Sequence, residues 1–140
     1  MRRLGIDHGE RRVGLALSDE DGFIAHPRDT WHRKDPKQLL DRLVAFVEEE
    51  EVGEIVVGLP LHLDGREGAS ARRARRFAQL LGERTGLEVV LWDERLSTAA
   101  AQRSLSEAGV SAKEQKELVD RVAAAILLQS YLDSRREVSE

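Results

Sequence analysis

Leu4-Gly5-Ile6-Asp7-His8-Gly9-Glu10-Arg11-Arg12-Val13-Gly14-Leu15-Ala16-Leu17-Ser18 reads as two short apolar strands joined by a polar, glycine-containing turn. Side chains alternate along a strand, so Asp7 faces the side opposite Leu4 and Ile6, where a carboxylate ordinarily weakens β-structure. Two readings account for it. Asp7 bonds backbone amides of its own turn beside Gly9. Alternatively it is a metal ligand held on a rigid strand, with Gly9 leaving room for a phosphate or a second backbone to come close.

Working outward, Asp19-Glu20-Asp21-Gly22 is a hairpin turn, because Asp-Gly supplies the positive φ values of a tight connection. A third strand runs from Phe23 towards Trp31, and Pro27, lacking an amide donor, places it at a sheet edge. Asp35-Pro36 supplies an N-cap and a first-turn proline for a helix. Its apolar residues Leu39, Leu40, Leu43, Val44 and Val47 recur at helical spacing until Gly53. Ile55 to Leu59 is a wholly apolar run between Glu54 and Pro60, the pattern of a central parallel strand covered on both faces. The stretch 61–69, with Gly65 and Gly68, reads as a flexible loop. Ser70 then caps a helix with Ala74, Phe77, Ala78 and Leu81 on one face, closed by Gly86. Leu87 to Trp92 is a second buried run and ends in Asp93-Glu94-Arg95. A short helix from Ser97 to about Gly109 precedes a capping box, Ser111-Ala112-Lys113-Glu114, that opens the last helix. Val119, Val122, Ala123, Ile126 and Leu127 make the stripe expected to face the sheet. The order predicts an α/β fold with a five-stranded mixed sheet flanked by helices. Its three N-terminal strands are antiparallel, its first, fourth and fifth parallel, with right-handed crossovers.

A chain of 140 residues suits one domain over 1–140. Cysteine is absent, which removes disulfides, thiolate metal sites and cysteine nucleophiles together. The N-terminus meets an acid before any apolar run of signal-peptide length, and no segment approaches a membrane span, so a cytoplasmic protein without membrane partners is expected. With 22 Lys and Arg against 26 Asp and Glu, the net charge of −4 means that nucleic-acid binding has to come from local basic patches.

Ligands in such sheets collect beyond the carboxyl ends of parallel strands, the rim where Asp7 and Glu94 are expected. On a helical wheel Asp120 stands at the margin of the sheet-facing stripe. Three acids remote in sequence are thus able to converge. Carboxylates sharing a site repel one another unless a cation neutralises them. All-oxygen ligands suit Mg2+ or Mn2+, and two such ions about 4 Å apart hold both the attacking and the leaving oxygen of an in-line phosphodiester displacement.

Four blocks carry a resemblance: Leu4-Gly5-Ile6-Asp7-His8-Gly9; Val57-Gly58-Leu59-Pro60 with Asp64-Gly65; Asp93-Glu94-Arg95-Leu96-Ser97-Thr98; and Val119-Asp120-Arg121-Val122-Ala123-Ala124. In this order they resemble the YqgF (RuvX) family, small bacterial nucleases of the RNase H-like superfamily. That family is described both as processing the 5′ end of pre-16S rRNA and as Holliday-junction resolvases. The resemblance covers nearly the whole chain. It implies an RNase H-like fold and a metal-dependent nuclease whose three acidic ligands are Asp7, Glu94 and Asp120, with RNA, or branched DNA, as partner and two ions when substrate is bound. Between the neighbours Asp93 and Glu94, which point to opposite faces in a strand, it selects Glu94. His8 stands where the family often has an aromatic, and Leu61-His62-Leu63 replaces a more usual Asn-Met-containing stretch. Both departures bear on substrate preference.

Among basic residues, Arg72, Arg75 and Arg76 share the helix face opposite Ala74, Phe77 and Leu81, with Arg73 at its flank. With Arg66 in the preceding loop they are expected to bind phosphate, the alternative being a solvated helix face. Arg11 and Arg12 in the first turn come next, then Lys113 and Lys116. His8 either packs on a neighbour or contacts the metal-bound water. Ser97 and Thr98 cap the following helix or lie beside the scissile phosphate. A second apolar line on the last helix, Ala125, Leu128 and Leu132, is expected to face away from the sheet. Either the 97–108 helix or a second copy in a homodimer would cover it. An actin-like or sugar-kinase ATPase, whose hairpin also opens Asp-x-Gly, needs two such domains, and this chain is too short. A nucleic-acid-binding factor without catalysis is the remaining alternative.

Overall fold

The computed structural model describes residues 1–96 and 106–139, with the side chains of 116–121 and 137–139 outside the description. In chain order the elements are β1 (Arg2–His8), β2 (Arg12–Ser18), β3 (Ala25–His32), α1 (Pro36–Glu49), β4 (Val52–Leu59), α2 (Ala69–Thr85), β5 (Val89–Asp93) and α3 (Ala112–Ser139). The sheet has the order β3-β2-β1-β4-β5. β1, β2 and β3 pair antiparallel, and β1, β4 and β5 pair parallel. This is the mixed sheet that the strand pattern predicts, and Pro27 lies on the edge strand.

Alternation sorts the strand residues onto two faces. Leu4, Ile6, Val13, Leu15, Ile55 and Val57 pack with Leu39, Leu43, Phe77 and Leu81 of α1 and α2. On the other face Ala16 and Val56 meet Ala124, Ala125, Leu128, Tyr131 and Leu132 of α3. Each fully buried leucine contributes about 2 kcal/mol. Gly5 lets α3 lie directly on β1, since a Cβ there would stand 2.8 Å from Cβ of Leu128 and 3.0 Å from the carbonyl oxygen of Ala124.

That packing corrects the expected phase of the last helix. Ala125, Leu128 and Leu132 face the sheet and are at most 9% exposed, so they form no homodimer surface. Val122, Ala123 and Ile126, placed on the sheet-facing stripe from sequence, are only half-buried.

Smaller corrections have local causes. The Asp19 carboxylate accepts from the amides of Phe23 and Ile24 at 2.8 and 3.0 Å, keeping both in the turn, so β3 begins at Ala25. Asp35 caps α1 as expected, accepting from the Lys37 amide. The chain then reverses at Glu51 (φ 54°), and Gly53, expected to end the helix, lies inside β4. Gly68, not Ser70, is the N-cap of α2, and no side chain caps it. Segment 61–69 is a hydrogen-bonded turn rather than a slack loop: Leu61 bridges Glu67, the His62 amide donates to the Arg66 carbonyl at 3.0 Å, and Gly65 adopts φ 90°. β5 is the other edge strand and is half-buried throughout. Ser111 does cap α3, accepting from the Glu114 amide at 3.3 Å.

Candidate active site

At the carboxyl ends of β1, β4 and β5 a cleft of about 170 Å³ opens, lined by Asp7, His8, Gly9, Glu10, Arg33, Pro60, Ser70, Arg73 and Glu94. Asp7 is the sixth residue of β1, paired with Gly14 of β2 and directly following Ile6, the last residue of β1 paired with β4, so its Cα sits on a rigid strand. Glu94 directly follows β5 and reaches back over β4, where Gly58 makes the room: a Cβ there would lie 2.9 Å from Cγ of Glu94. The two carboxylates meet in hydrogen-bonding contact. Burial, reinforced by the charge of Asp7, pushes the Glu94 carboxyl up to about 8.

Asp93 behaves differently. Arg95 grips it through its own side chain, with Nη2 at 2.7 Å, and holds its carboxyl below the usual range, while Arg95 also donates to the Leu63 carbonyl. Of the two neighbours, Glu94 is therefore the one turned towards Asp7.

Position 120 lies at the same rim. α3 runs antiparallel to β1 and β4, with Tyr131 donating to Glu54 at the start of β4, Leu128 on Gly5, and Ala124 beside Gly14, which itself abuts Asp7. Position 120 is one turn further on, about 6 Å along the axis. Its side chain lies outside the described residues, as do Ser97, Thr98 and the side chain of Lys116. Among the described residues no cluster of three or more metal-ligating side chains is gathered.

His8 points to the opposite sheet face from Asp7 and stacks on Phe77, with ring centroids 4.2 Å apart and planes 14° apart. Burial, then the charges of Arg33 and Arg73, lower its pKa to about 4, so the imidazole is neutral near pH 7. Gly9 does not leave a vacant approach: its amide donates to the Arg12 carbonyl at 3.0 Å, and a Cβ would meet that oxygen at 2.9 Å.

Apart from Arg73, the basic residues expected from sequence whose side chains are described lie elsewhere. Arg66 is paired with Asp64 at 2.6 Å in its own turn, and Arg75 is paired with Glu67. Arg11, Arg12, Arg72, Arg76 and Lys113 are exposed and do not line the cleft. The guanidinium groups that do line it belong to Arg33 and Arg73. The hairpin register carried a signal for Arg33: pairing of Arg12 with His32 sets the residue after β3 beside the first turn, and the Arg33 amide donates to the Arg11 carbonyl at 2.8 Å.

An all-oxygen pair of carboxylates, pressed together at a rim where three parallel strands end, suits a hard divalent cation. The donor chemistry and the mutual repulsion of Asp7 and Glu94 both fit Mg2+ or Mn2+.

Solved structures share the architecture across the full chain. Thermus thermophilus RuvC in complex with a Holliday junction substrate superposes with a TM-score of 0.60 at 16% identity, covering 96% of both chains. The fowlpox virus Holliday junction resolvase does so with 0.53 at 14% identity, covering 96% of this chain and 99% of its own. The fold is thus the RNase H-like fold of the RuvC type. A sequence profile described as "RuvX: Holliday junction resolvase" matches residues 1–134, and the chain belongs to that RuvX family. An Anaeromyxobacter sp. (strain Fw109-5) relative is 49% identical over 135 residues, covering 96% of this chain and 98% of its own. One from Halalkalibacterium halodurans is 43% identical over 138 residues, covering 97% and 99%. Both carry the name "Putative pre-16S rRNA nuclease".

Proposed function

We propose that the protein is a metal-dependent nuclease that hydrolyses phosphodiester bonds and processes the 5′ end of pre-16S rRNA in the cytoplasm. The observation that carries this reading is the meeting of Asp7 and Glu94 over Gly58 at the carboxyl rim. Asp7, Glu94 and Asp120 would hold Mg2+ or Mn2+, with two ions when substrate is bound. A divalent cation there supplies Lewis-acid activation of water and charge stabilisation for the departing oxygen. The chain's own residues do the rest. β1 and its two ladders keep Asp7 in place, and Gly58 admits Glu94 alongside it. His8, neutral and stacked on Phe77, closes the far wall of the cleft without adding a positive charge that would oppose cation binding. Water serves as nucleophile, so no covalent enzyme intermediate is required.

Action on branched DNA is the second reading, favoured by the description of the matching family profile. Symmetric cleavage of a junction needs two active sites, and the helix face that the sequence offered for a dimer is spent on the sheet. That weighs towards rRNA. The deciding experiment offers the purified protein, with manganese, a labelled pre-rRNA leader, generic single strands and a four-way junction side by side. Fastest cleavage of the leader is the expected outcome. Preferential cutting of the junction would select the resolvase reading, and binding without any cleavage would leave a non-catalytic binding factor.

A further inference from the structure

We propose that Arg33 and Arg73 form a subsite for a backbone phosphate next to the one being cleaved, and that Glu10 occupies it when no substrate is present. The inference rests on the nuclease reading above and names where its substrate is held.

Arg33 is half-buried directly after β3, and it lines the same cleft as the acid pair. Nη1 donates to the Gly9 carbonyl at 2.9 Å, which fixes the guanidinium against the first turn. An arginine offers five N–H donors, and among the described residues this one is paired with no carboxylate. Half-buried guanidinium groups are ordinarily compensated, as Arg3 is by Glu54 in this molecule. Arg73 reaches the cleft from α2, with Nη2 donating to the Ser70 hydroxyl at 3.1 Å. The same nitrogen stands 3.6 Å from the Glu10 carboxylate, whose side chain is 81% exposed and held by no closer hydrogen bond among the described residues.

Two guanidinium groups and a hydroxyl lining one cleft are the donor set that suits a phosphate, which arginine recognises through paired N–H donors. Asp7 lies on the face of β1 towards α3, whereas His8, beside the two arginines, lies on the face towards α2. A strand crossing the rim therefore presents one phosphate to the carboxylates and its neighbour to the arginines. An exposed glutamate at 3.6 Å is a weak ion pair that a phosphate displaces at small cost.

The test uses full-length protein and a labelled single-stranded RNA in two measurements: binding across a salt titration without divalent metal, and KM and kcat for cleavage with manganese. Arg33→Gln and Arg73→Gln should each raise KM about tenfold and flatten the log–log salt slope by about 0.7, the contribution of one single-strand phosphate contact. Glu10→Gln should act in the opposite direction and lower KM about threefold. Arg84→Gln removes the same charge from the far end of α2, where Arg84 pairs with Asp41, and should leave the slope unchanged. Arg73→Gln and Glu10→Gln alter exposed side chains, so they carry the test even where Arg33→Gln fails to fold. Wild-type cleavage with slopes for the Arg33 and Arg73 variants equal to that of Arg84→Gln would overturn the subsite while leaving the nuclease reading intact. A wild-type protein that neither binds nor cuts any strand would overturn both.

Discussion

Glu54 and Glu94 sit at opposite ends of the same face of the sheet, Glu54 buried and Glu94 half-buried at the cleft. Glu54, 6% exposed at the start of β4, accepts from Arg3 Nε at 2.7 Å and from the Tyr131 hydroxyl at 3.0 Å. Trp92 stands edge-on to the Tyr131 ring, with centroids 5.5 Å apart, and seals the group. Glu94, over Gly58, meets the carboxylate of Asp7 instead. The same side chain is neutralised at one end of the sheet and opposed by a like charge at the other. A compensated carboxylate holds elements together, here β1, β4 and α3. An opposed one costs stability and is a candidate for work on a cation or a substrate.

The contrast is broken most severely by Asp7→Asn and Glu94→Gln. Each should reduce manganese-dependent cleavage about a thousandfold, roughly 4 kcal/mol of lost transition-state stabilisation, with circular dichroism unchanged. A variant that keeps its specific activity removes that acid from the catalytic set. Glu54→Gln should do the reverse, unfolding about 3 kcal/mol more easily in denaturant because Arg3 is left buried without its counter-charge, while the specific activity of the folded fraction is retained. The smallest effect sharpens the comparison through pH. The Glu94 carboxyl lies near 8 in the folded, metal-free protein against an ordinary 4.5 when unfolded, so between those values folding takes up a proton. Stability is then fully present below pH 4.5, declines as pH rises towards 8, and is flat beyond. Glu94→Gln lacks this decline, and by pH 9 without metal its Tm should exceed that of the wild type by several degrees. Parallel wild-type and Glu94→Gln melts from pH 5 to 9 would contradict the like-charge pairing.

The sheet was legible because its signals are local: the Asp-Gly turn, alternation in β1 and β2, and unbroken apolar runs in β4 each confine the chain to one choice. Asp7 stood out for the same reason, as a carboxylate where alternation disfavours one. The phase of α3 was not legible. Residues Val122 to Leu128 are apolar without interruption, so the hydrophobic pattern carries no angular information there. What sets the phase is Gly5, whose missing side chain admits Leu128 and Ala124, and a contact between residues at opposite ends of a chain has no local trace. Arg33 was passed over, and Arg73 counted only as the flank of the denser cluster at Arg72, Arg75 and Arg76. Clustering counts charge, whereas the ion pair of Arg75 with Glu67, formed across the turn before α2, withdraws it.

The seat of α3 on Gly5 also bears on the timing of synthesis. β1 is made before α3, yet neither Gly5 nor Gly14 is covered until they meet. A nascent chain that has made Asp7 and Glu94 still lacks the helix that covers Ala16 and Val56 and brings position 120 to the rim. The sheet face that carries Asp7 is thus closed only once α3 has been made, so synthesis of that helix sets when the two halves of the chain lock together.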